Sequence, residues 1–342
     1  PKYSLRKIKP TKKNIRPITV QNVKKILFKN IYTLETSDSL TTIKTHFDDK
    51  LDYIEEVYPI TLASTFEDPL YDQQSSFDVG NLKRSLQWET SHPVTVAVID
   101  SGIDYNHPEL ETRILKNQAE ELNELDDDQN GVVDDVYGIN FYSVNESISG
   151  NSTDPIGHGT HIAGIIAAQT NNGEGIKGIN QNVKIMNLRF LNDRGNGTQL
   201  DAALAITHAV DNGAKIINCS WGYYRYNTIL KNAINYANKH GVIIVAAAGN
   251  DGWNRPHYPA GFDSVIAVGS ITNDYMQSYF TNWGNHIDFV APGHNIVSTA
   301  PQNSYKTLSG TSQSAAIITG ITSLLIGQDP TIARVGVFTC IK

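Results

Sequence analysis

Asp100, His158 and Ser312 stand in three glycine-marked segments, Val98-Ile99-Asp100-Ser101-Gly102, Gly157-His158-Gly159-Thr160-His161 and Gly310-Thr311-Ser312. These side-chain types can together perform nucleophilic catalysis. A serine hydroxyl attacks poorly at neutral pH unless a base lies within hydrogen-bond reach and a third group orients that base. In this reading His158 takes the Ser312 proton, while Asp100 fixes the His158 tautomer and stabilises the imidazolium. Taken singly, each residue has a plainer reading: an aspartate capping a strand end, a packed histidine, a common Gly-Thr-Ser turn. His158 and His161 could instead form a metal pair, but no third ligand and no HExxH pattern accompany them. His161 is therefore read as structural.

A second cluster suits a hard cation. In Asp126-x-Asp128-x-Asn130-Gly131-Val132-x-Asp134-Asp135 oxygen ligands alternate and glycine takes the sixth place. That matches the first half of a calcium loop, with Val132 offering its carbonyl. The bidentate glutamate that would complete an EF-hand is missing. Calcium is expected here; a solvated acidic turn is the plain alternative.

Such residues need rigid elements to hold them. Short apolar runs at 94–99, 183–188, 214–219, 242–248 and 265–268 read as strands. Two amphipathic stretches read as helices, one from Thr198 to Gly213, the other carrying Ile229, Ala233 and Ala237 and ending at Gly241. Helical runs are also expected at 161–168, after His158, and at 314–325, after Ser312. Near-continuous apolar strands separated by helices predict an α/β fold whose mostly parallel sheet is covered on both faces. Asp100 falls at a strand C-terminal end, where such folds gather functional groups. The first 60 residues differ: strands are expected at 31–36 and 51–60, with a short helix at 39–47.

The chain has 342 residues, 40% hydrophobic and 18% charged, the composition of a soluble globular protein. No apolar run reaches the ~18 residues of a membrane span, and the first residues lack the apolar core of a signal peptide. Residues 1–34 hold ten Lys or Arg and no acid, against 18 basic and 35 acidic residues in the rest. A basic arm could bind nucleic acid. No RNA-binding aromatic motif accompanies it, and a solvated segment attracted to an acidic body is preferred. Two cysteines make no disulfide framework; Cys219, in an apolar strand, reads as a buried free thiol.

From about Asp68 to Gly327 the chain resembles the subtilisin-like serine peptidases, with the three segments in that family's Asp, His, Ser order. The resemblance implies a three-layer fold and peptide hydrolysis through an acyl-enzyme, with His158 later protonating the leaving amine. It implies an oxyanion donor in Asn250, at the end of Ala246-Ala247-Ala248-Gly249-Asn250. Polypeptide substrates would pair in extended form with two edges, Ser220-Trp221-Gly222 and the Asp193–Gly197 segment with Gly195 and Gly197. Ala247, Ala248 and Gly249 would line one wall of a roomy, apolar S1 pocket, with His257 near its base. A second calcium site would draw on Asp68, Glu109 (where the family usually has Asp), the Asn172 side chain and the carbonyls of Thr170, Glu174 and Ile176.

Residues 1–65 resemble the later part of an inhibitory propeptide, ending near Asp52-Tyr53-Ile54-Glu55-Glu56. The catalytic domain would then span 66–342, opening with Phe66-Glu67-Asp68-Pro69-Leu70. The family habit implies secretion and the propeptide as an intramolecular inhibitor. A catalytically silent peptide-binding homologue is the competing reading. The helix after Ser312 reads Gln313-Ser314-Ala315-Ala316-Ile317 instead of the family's Met-Ala-x-Pro-His. Residues 335–342 do not continue the expected closing helix, which would leave apolar surface exposed.

Overall fold

A computed structural model describes residues 68–142 and 148–341 apart from 87 and 89, and parts of the first 67 residues. The chain divides into two compact units, Pro1–Ser64 and Thr65–Lys342.

In the first unit four strands form an antiparallel sheet in the order β2-β3-β1-β4. They are β1 (Lys2–Arg6), β2 (Val20–Lys25), β3 (Ile31–Thr36) and β4 (Ile54–Glu56). β3 and β4 lie within the expected strands. β1 and β2 are strands that the reading of residues 1–34 did not include. In β1 the sequence alternates Lys2-Tyr3-Ser4-Leu5-Arg6, a strand period that the density of positive charge obscured. Residues 41, 42 and 45 are helical. Ser39 is described and not helical, with its hydroxyl accepting from Thr42 N; the remainder of the expected 39–47 helix, Asp52-Tyr53 and Phe66-Glu67 lie outside the described residues.

The second unit is built on a parallel sheet of seven strands in the order β11-β10-β9-β8-β5-β7-β6. These are β5 (Val94–Asp100), β6 (Ile139–Asn140), β7 (Val183–Arg189), β8 (Ile216–Cys219), β9 (Ile243–Ala247), β10 (Ile266–Ile271) and β11 (Phe289–Pro292). Helices α1 (His158–Ala167) and α4 (Thr311–Gln328) pack on one face, α2 (Gln199–Asp211) and α3 (Thr228–Lys239) on the other. Strand alternation sorts the core. Val94, Val96 and Val98 join the first layer, and Ala97 and Ile99 the second. Both faces of the strand are dry, which is why its sequence is apolar at nearly every position before Asp100.

The helix signals hold. Thr198 and Asp201 form a reciprocal capping box at α2, and Asn227 caps α3 by accepting from Leu230 N. Gly213 and Gly241, beyond the two ends, have φ of +81° and +75°, the left-handed conformation glycine tolerates. Cys219 is fully buried in β8 as a free thiol. The chain end departs from expectation: α5 (Arg334–Ile341) forms, with Val337 buried and Phe338 against Phe289. Arg334 anchors it by donating to the Val265 carbonyl at 3.1 Å, a tertiary bond that sequence periodicity does not carry.

Beside the sheet a hairpin, β12 (Ile296–Ala300) and β13 (Ser304–Leu308), lies against α1. His161 fastens it: its Nε2 faces the carbonyls of Lys306 (3.0 Å) and Ile296 (3.2 Å). That is the structural role expected of His161. Burial pushes its pKa down to about 4. Among the described residues no helix is long and apolar enough to cross a membrane.

Candidate active site

Asp100 ends β5, where the sheet order reverses between β8 and β7, the switch point at which parallel sheets open a crevice. Its side chain is wholly buried. Asp100 Oδ1 receives the backbone N–H of Ser101 and meets His158 Nδ1, both at 2.7 Å. The imidazole keeps 29% of its surface exposed. Burial pushes the His158 pKa down, but the Asp100 charge and hydrogen bond outweigh it and the net shift is upward.

His158 begins α1 instead of preceding it. Gly157 supplies the N-cap backbone without a capping side chain. The capping falls to Asp154, a residue the sequence reading missed. Its buried carboxylate accepts from the N–H groups of Ile156 (3.1 Å), Gly157 (2.8 Å) and Thr160 (2.9 Å) and from the hydroxyls of Thr160 (2.6 Å) and Ser101 (2.9 Å). Ser101 Oγ in turn accepts from Gly159 N at 2.9 Å. One carboxylate and one hydroxyl therefore tie the strand of Asp100 to the helix of His158.

Ser312 sits in the first turn of α4, which starts at Thr311, earlier than expected. Its hydroxyl donates to the Ser220 carbonyl at 3.0 Å; among the described hydrogen bonds none joins it to His158. A polar chain lies below. Ser220 Oγ donates to the Ser312 carbonyl (3.0 Å) and accepts from Asn218 Nδ2 (2.9 Å), and Asn218 Oδ1 accepts from Thr319 Oγ1 (2.9 Å). Asn218 and Thr319 are fully buried, and this network was not read from the sequence. Asn250 Oδ1 accepts from both Thr311 N and Thr311 Oγ1 at 2.9 Å. That pair of bonds engages the amide oxygen and leaves Nδ2 without a partner among the described hydrogen bonds.

Trp221, Gly222 and the Gly195–Gly197 turn border one cleft of about 430 Å³, lined also by Phe190, Leu191 and Tyr258; Ser220 is not part of its lining. The Trp221 indole donates to the Ile99 carbonyl at 2.7 Å and its ring packs on Phe190. Gly197 is needed for fit over Phe190, since a β-carbon there would press into the Phe190 ring at 2.8 Å. Ala247 and Ala248 are 3% and 0% exposed. Their side chains belong to the core, so only their backbone can line a pocket.

The acidic loop draws in a carboxylate that was missed. Glu120, 5% exposed, points Oε1 at Asp128 N (2.9 Å) and Oε2 at Asp134 N (3.1 Å). Glu120, Asp126 and Asp128 bring carboxylate oxygens within 4.8 Å of one another. Asp134 turns away to accept from Asn123 N and Glu124 N. Asp135 binds the amides of Asn117 and Asn130.

At the second loop, Asp68 and Glu109 are buried carboxylates. Asp68 accepts from Asn171 N and Asn172 N, and Glu109 from Ile176 N and the Tyr305 hydroxyl. Burial raises the Glu109 pKa to about 7. The Asn172 amide nitrogen faces Glu109 and its oxygen takes Glu174 N, opposite to the expected oxygen ligand; the carboxylate's need for a donor explains the orientation. Thr170 Oγ1 is buried without a hydrogen-bond partner.

A family model for subtilases matches residues 91–337. The chain belongs to the subtilase family. This subtilase is 37% identical to a thermophilic serine proteinase of Bacillus sp. (strain AK1) over 81% of its own length and 64% of that protein. It is 38% identical to thermitase of Thermoactinomyces vulgaris, over 68% of the chain and 75% of thermitase. The subtilase thus spans just under two thirds of the Bacillus proteinase. Among solved structures, a protease from Pseudoalteromonas arctica matches with a TM-score of 0.69 at 27% identity, covering 81% of this chain and 91% of that one. A cold-adapted subtilisin-like serine proteinase matches at 0.60 and 28%, covering 73% and 81%. The fold is therefore the three-layer subtilisin-like one.

Proposed function

We propose that this subtilase is a serine endopeptidase whose reacting groups are Asp100, His158, Ser312 and Asn250. The observation that carries the reading is the buried Asp100 carboxylate bound to His158 Nδ1 at 2.7 Å, a pairing that leaves Nε2 to act as the base. The Ser312 hydroxyl turns from the Ser220 carbonyl toward His158 and bonds to the peptide carbonyl carbon as its proton passes to Nε2. The developing oxyanion takes hydrogen bonds from Asn250 Nδ2 and from the Ser312 N–H, one of the unpaired donors of a helix start. The C–N bond breaks as Nε2 returns the proton to the leaving amine, and water then releases the acyl group by the same path.

An extended polypeptide lies along Ser220-Trp221-Gly222 on one side and Gly195 and Gly197 on the other. Calcium would be held by Glu120, Asp126 and Asp128 with Asn130 and the Val132 carbonyl, and would supply structural stabilisation only. The second loop fits the ion through Asp68, Glu109 and the orphaned Thr170 hydroxyl region, with the Asn172 amide reversed. Residues 1–65 act as an inhibitory propeptide, the enzyme works outside the cytoplasm, and nucleic acid is not a partner.

Labelling with a fluorophosphonate serine probe tests the chemistry. Labelling that disappears in Ser312→Ala supports the reading. Absence of labelling in a folded protein overturns it in favour of a silent, peptide-binding homologue, a state consistent with the Ser312 hydroxyl resting on Ser220. Labelling that appears only after residues 1–65 are removed identifies self-inhibition.

A further inference from the structure

On the peptidase reading, the side chain next to a carbonyl held by Asn250 and Ser312 projects between two backbone segments, 220–222 and 247–249. Both end in glycine, which alone would make a wide slot. Two side chains bear on it: Asn282, whose Nδ2 would lie 2.3 Å from a β-carbon placed on Gly249, and His257. A β-carbon placed on Gly222 would come within 2.5 Å of Cε1 and Nδ1 of His257, and one placed on Gly249 within 3.2 Å of its Cγ. One imidazole thus touches both walls.

The ring is held in place. Nδ1 faces the Ala247 carbonyl at 3.5 Å, and the Tyr224 ring lies 4.9 Å away. Tyr224 is itself fixed by Asn282 Nδ2 (2.8 Å), by the Asp251 carboxylate and by the Arg255 guanidinium at 5.1 Å. Asn282 also donates to the Ala248 carbonyl at 2.9 Å, joining this support to the slot wall. Burial pushes the His257 pKa down, so the ring is uncharged at neutral pH and offers an acidic side chain no counter-charge. A large substrate side chain could enter only by displacing a ring packed on three sides.

We infer that His257 determines specificity by confining the residue on the acyl side of the cleaved bond to small side chains such as Gly, Ala or Ser. The roomy apolar pocket expected from the family is replaced by a shallow one. This inference rests on the peptidase reading above.

The test compares peptide p-nitroanilides identical except for an acyl-side Ala or Phe, with active enzyme counted by fluorophosphonate titration. Wild type is expected to favour Ala by about tenfold or more in kcat/KM, the scale on which pocket volume discriminates. His257→Ala, which empties the slot, should raise the Phe/Ala ratio by about tenfold. His257→Phe, which keeps it filled, should not raise it. Equal or better cleavage of the Phe peptide by probe-labelled wild type overturns the inference, as does a Phe/Ala ratio unchanged in a probe-labelled His257→Ala. Failure of the wild type to label at all overturns the peptidase reading, and this inference with it.

Discussion

Asp154→Asn removes a single charge at almost constant volume, and its cost can be worked from the bonds. The carboxylate serves five donors: three backbone N–H groups and two hydroxyls. An asparagine can keep its oxygen toward Ile156, Gly157 and Ser101 only by turning its NH₂ toward Thr160. The Thr160 hydroxyl can rotate, but the Thr160 N–H then faces another donor. One buried orphan costs about 1–3 kcal/mol, and the remaining bonds lose their charge-assisted strength. The sum is about 2–4 kcal/mol. For a unit of this size that is a fall in Tm of about 4–8 °C. Because the same bonds set the start of α1, His158 should shift with them, lowering kcat/KM by about tenfold to a hundredfold. Scanning calorimetry and peptide hydrolysis at fixed calcium read both effects. A variant melting within about 1 °C of wild type with unchanged kcat/KM would refute the assignment of Asp154 as the group that locks His158's helix.

Four further outcomes follow from the same geometry. Because Asp100 raises the His158 pKa above 6.5, the acid limb of kcat/KM should lie above pH 6.5; a limb below it contradicts the pairing, and Asp100→Asn should cost about 10⁴ in kcat, the scale of the same change in a serine peptidase of unrelated fold. His161 binds its proton at about pH 4 when folded and near 6.5 when unfolded, so the unfolded state takes up more protons. Stability is then full above pH 6.5 and falls on acidification toward 4 by about 3 kcal/mol, and His161→Gln should flatten that slope in urea titrations from pH 4 to 7. Chelation of calcium should lower Tm, and Glu120→Gln should need more calcium than wild type to restore it, read as a weaker midpoint in a calcium titration. Separately expressed residues 1–65 should inhibit hydrolysis by residues 66–342 when added in trans; unchanged rates at saturating segment would remove the propeptide assignment.

Much of this was legible because the strands are dry on both faces. Residues 94–99 are apolar at nearly every position since alternate side chains feed different layers, and a Val-Ile run ending in Asp announces both strand and site. The same holds for Gly213 and Gly241, whose backbone shape restricts the residue type. What escaped detection depends on bonds across sequence. Asp154 lies four residues before His158 and caps a helix that had been expected to begin later. Glu120 reaches the acidic loop through the N–H groups of Asp128 and Asp134, outside the alternating pattern. Asn218 and Thr319 meet 101 residues apart, and an apolar strand with one buried asparagine gives no hint of its partner. His257 was placed near the pocket, but that its ring would bridge Gly222 and Gly249 depends on the fold of the 251–257 loop. In β1, neighbouring positive charge masked a strand period, and β2 has no alternation to read.

The resting bond from Ser312 to the Ser220 carbonyl has a kinetic meaning. Ser220 begins the segment along which a peptide would lie, so docking of a chain and release of the hydroxyl fall on neighbouring atoms. Rotating the hydroxyl away exchanges one hydrogen bond for another, at a cost of about 1 kcal/mol. A long chain can offset that from its backbone pairing, whereas a small electrophile has nothing to set against it. On the peptidase reading, this bond slows small electrophiles by about fivefold without excluding them, while an extended polymer offsets the cost through its backbone pairing.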